Sequence, residues 1–298
     1  MTQNKGDAGR GIDKTRAAGG PAAGTPAVKP RPAVISRGTW TTAGVMAVVV
    51  VALVAADLLS QPGQALSSAH DAVLALQYLM PLAMALMILR TARTLEKNTE
   101  VRTNWSLFGY ALLSFGIGSV VLIVMFVVLG RDTYPSYAEI FTLIGYAIFG
   151  MAFYRSLLSY RHLLSLRGPL MIAVAVVLAA LAVVYVTVVG PYVVFYQAAT
   201  QSVAARLFNT LYLVLDAIVL LTPCVALALL LGELGTGRVA WPWWFVVAGA
   251  GSLFVWDAVF AYTSAIGLGR PPIVDFGYTL APMLIGLAVL VARDVYRS

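Results

Sequence analysis

The chain reads as an all-α, polytopic integral membrane protein with eight transmembrane helices, and three features of the sequence lead there. The first is composition: 60% of the 298 residues are hydrophobic, 11% are charged, and mean hydropathy is +0.85. Soluble domains carry roughly 25% charge and 45–50% apolar residues, and no soluble core hides this much apolar surface. The second is the length of the apolar runs, each near the ~20 residues that cross a hydrocarbon core. The third is the placement of Lys and Arg, which alternates from loop to loop. The single Cys224 excludes a disulfide scaffold.

Residues 1–38 are rich in Gly, Ala, Pro, Thr and basic residues and show no apolar period. Such a segment buries too little surface to offset its ordering entropy, so a disordered basic cytoplasmic tail is expected. Its charges are dispersed, which suits a topogenic flank, and they can also touch anionic lipid headgroups. Apolar runs follow at 41–60, 70–90, 106–129, 138–158, 169–190, 207–231, 242–264 and 272–292. The flank before the first run is too long for the n-region of a signal peptide, so an uncleaved anchor is expected. Seventeen of the 20 Lys and Arg fall on one side of this topology, and only Arg131, Arg206 and Arg270 on the other. Positive residues stay cytoplasmic, which puts both termini inside. Trp40, Trp105, Trp241, Trp243 and Trp244 share the inner level, as an interfacial belt does. Pro81 and Pro282 lie within spans and can kink them.

The chain also repeats weakly. Asp71-Ala-Val-Leu opens the second run and Asp216-Ala-Ile-Val lies in the sixth. Gly116-Ile-Gly118-Ser119 and Gly249-Ala-Gly251-Ser252 sit in the third and seventh, where they suit close helix contacts. Glu139-Ile-Phe-Thr and Asp275-Phe-Gly-Tyr start the fourth and eighth. Three matches in order predict two parallel four-helix repeats, 39–165 and 166–298, related by a pseudo-two-fold axis along the membrane normal.

The acids within the spans carry the chemical information. A carboxylate in hydrocarbon costs about 2.5–3.5 kcal/mol at a helix centre, so it faces the bundle interior or water. Asp216 and Asp257 lie about eight residues inside the outer ends of their runs, roughly 12 Å deep at 1.5 Å per residue. Asn209, Tyr212 and Asp216 share one helical stripe, as do Asp275, Tyr278 and Thr279, and Glu139, Thr142 and Tyr146. An outward-opening pocket of Asp216, Asp257, Asp275, Tyr212, Tyr262 and Tyr278 is therefore a candidate site for a small ligand or cation. The other reading is that these acids lock helices together through bonds to Tyr, Thr and backbone N–H groups. His70 and His162 lie on opposite membrane faces, so they share no metal or haem. Cys224, alone in the sixth run, reads as packing.

Enzyme signatures are missing from the sequence. It has no HExxH, no GxSxG elbow, no P-loop and no paired-Cys or His-rich metal spacing. Lys occurs only at 5, 14, 29 and 97, so no span offers a retinal Schiff base. Neither cofactor nor metal is expected.

The run Asp216…Trp243-Trp244…Gly251…Asp257…Tyr262…Asp275…Gly277-Tyr278 resembles the multi-helix membrane modules that precede catalytic domains in bacterial diguanylate cyclases and sensor kinases. The resemblance covers residues 207–293 and, faintly, 70–160. It implies a module that senses or assembles. No output domain is expected after Arg297-Ser298, so another chain would carry the signal. The expected protein is a non-enzymatic, sensor-like or accessory subunit of a bacterial inner membrane. Its expected partners are membrane lipids and another membrane or signalling protein. A homodimer through small-residue helix faces is compatible, and no nucleic acid is expected. A small ion-coupled transporter and a membrane enzyme acting on lipid are the alternatives.

Overall fold

The computed structural model describes residues 35–59, 67–95, 100–130, 135–160, 167–184, 202–234, 237–265 and 272–297. The expected basic tail up to residue 34 and His162 lie outside them, and His70, Asp71 and Asp275 are placed by their backbone alone. Among the described residues there are helices and no strand. In order they are α1 (Arg37–Leu59), α2 (Ser67–Ala92), α3 (Glu100–Ile123), α4 (Ala138–Tyr160), α5 (Arg167–Val184), α6 (Val203–Leu215), α7 (Thr222–Leu234), α8 (Trp241–Ala265) and α9 (Pro272–Arg297). A π-helical segment, Asp216–Leu221, joins α6 to α7 as one continuous rod, and a second, Val124–Val128, ends α3. Each predicted apolar run thus has its rod. Among the described residues, seven helical rods are long and apolar enough to cross a membrane. α5 is described over 18 residues, and its predicted run continues to 190, outside them.

Local chemistry sets the helix starts. Ser202 accepts the Ala205 N–H at 3.1 Å, an N-cap that starts α6 at Val203, four residues before the predicted run. A short 3₁₀ turn, Arg238–Ala240, leads into α8, whose second residue is Pro242. Proline is tolerated there because a first-turn N–H has no helical acceptor. Pro81 and Pro282 both lie inside unbroken helices.

Six rods close a circuit. α2 packs along α3, α3 along α4, α4 against the π segment, the π segment and α7 against α8, α8 along α9, and α9 back along α2. α1 lies outside, against α9 and α2, while α5 lies outside against α7. Their surfaces fit these places: among the described side chains of α5, Ala173 and Val177, one turn apart, are buried, while Leu170, Met171, Ile172 and Leu178 are exposed.

Lipid gives helices no hydrophobic drive to associate, so close packing through small residues has to supply it. A Cβ on Gly116 would stand 2.7 Å from the Leu82 backbone nitrogen, so α3 touches α2 backbone to backbone. Gly118 meets Ala138 of α4, and Gly249 meets Ala281 and Ile285 of α9. Gly251 corrects the expectation for its pair, since nothing lies within 4 Å of its Cβ position. One end of the circuit is closed by rings. Trp105 stacks on Trp243 with centroids 5.0 Å apart, and Phe108 meets Phe149 and Phe153 edge-on, both at 5.4 Å. Cys224 is buried in this same core.

α1 is fastened by polar atoms at its start and by methionines along its length. Ser36 caps it, accepting the Thr39 N–H at 3.2 Å. Asp294 of α9 accepts the Ser36 N–H at 2.9 Å and the Thr39 hydroxyl at 2.5 Å, and Arg293 holds its other oxygen at 2.9 Å. Further along, Met46 and Val50 pack against Met283, with Met80, Met84 and Met87 around them. Asp294→Ala strips three donors of their acceptor. It is expected to destabilise the α1 attachment by about 1–3 kcal/mol, seen as faster proteolysis within α1 in detergent.

Candidate functional site

Asp216, Glu139 and Asp257 each accept a hydrogen bond from a tyrosine on a different helix. Asp216 is the deepest. It is fully buried where α6 passes into the π segment. The apolar stretch around it runs Val203–Gly232. Because the helix starts at Val203, Asp216 lies near the middle of the rod, about 20 Å from that end at 1.5 Å per residue. This is deeper than the sequence spacing suggested.

The Tyr146 hydroxyl of α4 donates to Asp216 Oδ1. The Tyr212 hydroxyl of α6 donates to Glu139, in the first turn of α4, and the Tyr278 hydroxyl of α9 donates to Asp257 of α8. The Tyr146 and Tyr212 rings stack with centroids 6.0 Å apart, so the first two pairs form one unit. The Asp257 carboxyl lies close enough to interact with both Asp216 and Tyr146, which joins the third pair to them. The result is a polar path across α4, α6, the π segment, α8 and α9.

Two local devices hold this path. In the π segment, the Ala217 carbonyl takes the Thr222 N–H and also the Thr222 hydroxyl at 2.8 Å. This second bond steadies the widened turn that carries Asp216; π-bulges of this kind are frequent at functional sites. At α9, a Cβ on Gly277 would stand 1.8 Å from Trp256 Cδ1, so the indole lies directly on the glycine. Trp256 and Gly277 are the chain neighbours of Asp257 and Tyr278. The Gly-Tyr pair therefore has a physical reading: glycine admits the indole, and the seated indole brings α8 close enough for Tyr278 to reach Asp257.

Four of the six sequence-predicted site residues come together: Asp216, Asp257, Tyr212 and Tyr278. Tyr262 is 43% exposed on α8, away from the buried set. Asp275 is helical, and its side chain lies outside the described residues. The expected pocket drew on residues 207–293 alone, whereas the path needs Glu139 and Tyr146 from α4. Their shared stripe was visible in sequence, but their partners across the circuit were not. Among the described residues no group of three or more His, Cys, Asp or Glu is arranged to hold a metal ion. No protein family, no curated protein and no solved structure matches the chain.

Proposed function

We propose that this chain is a non-enzymatic, eight-span protein of a bacterial inner membrane, acting as a sensor-like or accessory subunit beside a partner membrane protein. The observation that carries this reading is the acid–tyrosine path. It ties α4 to the α6–α7 rod and α8 to α9, so a proton or ligand arriving at its acids changes helix contacts rather than bonds in a substrate. The likeness of residues 207–293 to membrane modules of sensor kinases and diguanylate cyclases supports the same role. Two parallel halves, 39–165 and 166–298, belong to the proposal. Supporting them, the α2–α9 contact has its counterpart in α4 against the π segment, and α1 and α5 both lie outside the circuit. Both termini are placed on the cytoplasmic side by the Lys and Arg distribution.

Native mass spectrometry of the tagged chain, gently extracted from its host membrane, tests the role. A stoichiometric partner protein is the expected result. A lone chain would overturn it. The depth of Asp216 then favours a second reading, a small ion-coupled carrier, because carriers place their sites near the midplane. Proton-linked uptake into vesicles, lost in Asp216→Asn, would establish that one.

A further inference from the structure

Where α1 and α8 begin and α9 finishes, a cavity of about 330 Å³ is lined by residues from all three. That is the low end of the roughly 300–1,000 Å³ typical of small-molecule pockets. Ile35, Val291 and Val295 give it apolar walls, and Trp40 and Trp241 add two indoles. Arg238, from the 3₁₀ turn that leads into α8, supplies a positive charge. Trp40 is 60% exposed and Trp241 42%, so the protein covers neither ring fully. Open indoles suit a membrane–water interface, where Trp concentrates.

The polar groups of the lining select the sign of the guest. Asp294 also lines the cavity, but both its oxygens are engaged. Oδ2 accepts the Ser36 N–H and the Thr39 hydroxyl, and Oδ1 accepts from Arg293 at 2.9 Å. Arg293 balances the Asp294 charge, which leaves the charge of Arg238 in excess. Guanidinium and indole N–H groups donate and do not accept. An anion that accepts on its oxygens, as a phosphodiester does, matches such a lining.

The surroundings select the rest of the guest. Trp40, Gly44, Val48 and Val51 follow one another along one face of α1, and both valines are exposed. The Cβ position of Gly44 has nothing within 4 Å. Trp241, Trp244 and Val255 likewise form an exposed stripe on α8. Each stripe starts at an indole of the cavity. A free phosphate would leave the stripes unused, whereas a phosphate that carries acyl chains uses them.

We infer that this cavity seats the headgroup of an anionic phospholipid. Arg238 holds the phosphate in a charge-assisted pair, the glycerol lies between Trp40 and Trp241, and the acyl chains run along the α1 and α8 stripes. Basic pockets between spans take anionic headgroups by this chemistry. The inference rests on the membrane-spanning part of the proposed reading and not on the subunit role.

Native mass spectrometry of the purified full chain, with one lipid added at a time, tests the inference. Phosphatidylglycerol is expected to bind about tenfold more tightly than phosphatidylcholine with the same chains. Glycerol phosphate, which has the charge without the chains, should not displace it. Arg238→Gln should abolish the preference. Arg90→Gln, which removes the same charge from the exposed last turn of α2, should keep it. Val295→Phe fills the cavity, leaves Arg238 in place and should weaken phosphatidylglycerol about tenfold. Equal binding of the two lipids by the wild type overturns the inference, and so does tighter binding of phosphatidylcholine. A preference that survives Arg238→Gln or Val295→Phe, or that Arg90→Gln also removes, overturns it as well. Displacement by glycerol phosphate does the same. A lone chain that prefers phosphatidylglycerol would sink the subunit role alone, and a partnered chain with no lipid preference would sink this inference alone.

Discussion

Gly277→Val is expected to destabilise the bundle by about 3 kcal/mol, the upper end of what overpacking costs. The site leaves no room: the first added carbon would fall within 2.3 Å of three atoms of the Trp256 ring. An indole cannot fold away as a lysine tip can, so either Trp256 leaves α9 or α9 moves from α8. Both moves pull Tyr278 from Asp257. Thermal unfolding in detergent should show the loss, at about 2–4 °C per kcal/mol. Gly251→Ala is the control. Its Cβ would meet nothing within 4 Å, so its midpoint should stay level or rise slightly, since alanine is the better helix former.

The second large effect concerns Tyr146 and Asp216. Tyr146→Phe removes the hydroxyl that Asp216 Oδ1 accepts from, and Asp216→Leu leaves the Tyr146 hydroxyl without its acceptor. Each single change is expected to cost about 1–3 kcal/mol, the penalty of an orphaned buried group. The double variant should be more stable than the sum of the two losses predicts, because it buries no orphan at this pair. Strict additivity would show that the two side chains do not depend on each other.

Some of this protein is legible from its sequence, and the divide has a physical basis. The length and apolarity of a helix are one-dimensional properties, so hydropathy alone located the rods, seven of which, among the described residues, are long and apolar enough to cross a membrane. Their starts depend on single caps, and Ser202 moved one of them by a turn. The stripes Tyr212–Asp216 and Glu139–Tyr146 were also readable, because residues four or seven apart on a helix share a face. Which stripe meets which is a matter of helix packing, and nothing local encodes it. That is why a pocket expected from residues 207–293 draws half its hydrogen-bonding partners from α4. The π segment left no local sign either, since Asp216–Leu221 is as apolar as an ordinary turn apart from the acid itself. Trp256 gave none until Gly277 was seen beneath it.

The bond from Ser36 to Asp294 joins residues 258 positions apart. A ribosome adding about 5–20 residues per second makes α1 first and delivers its anchoring carboxylate on the order of 10–50 s later. Through that interval the first helix has its own Ser36 cap but not the fastening that holds it in the finished bundle. It must wait as a loosely held guest until α9 arrives. Chains shortened before Asp294 should therefore form α1 normally and yet never secure it, which makes this contact a natural marker that α9 has docked.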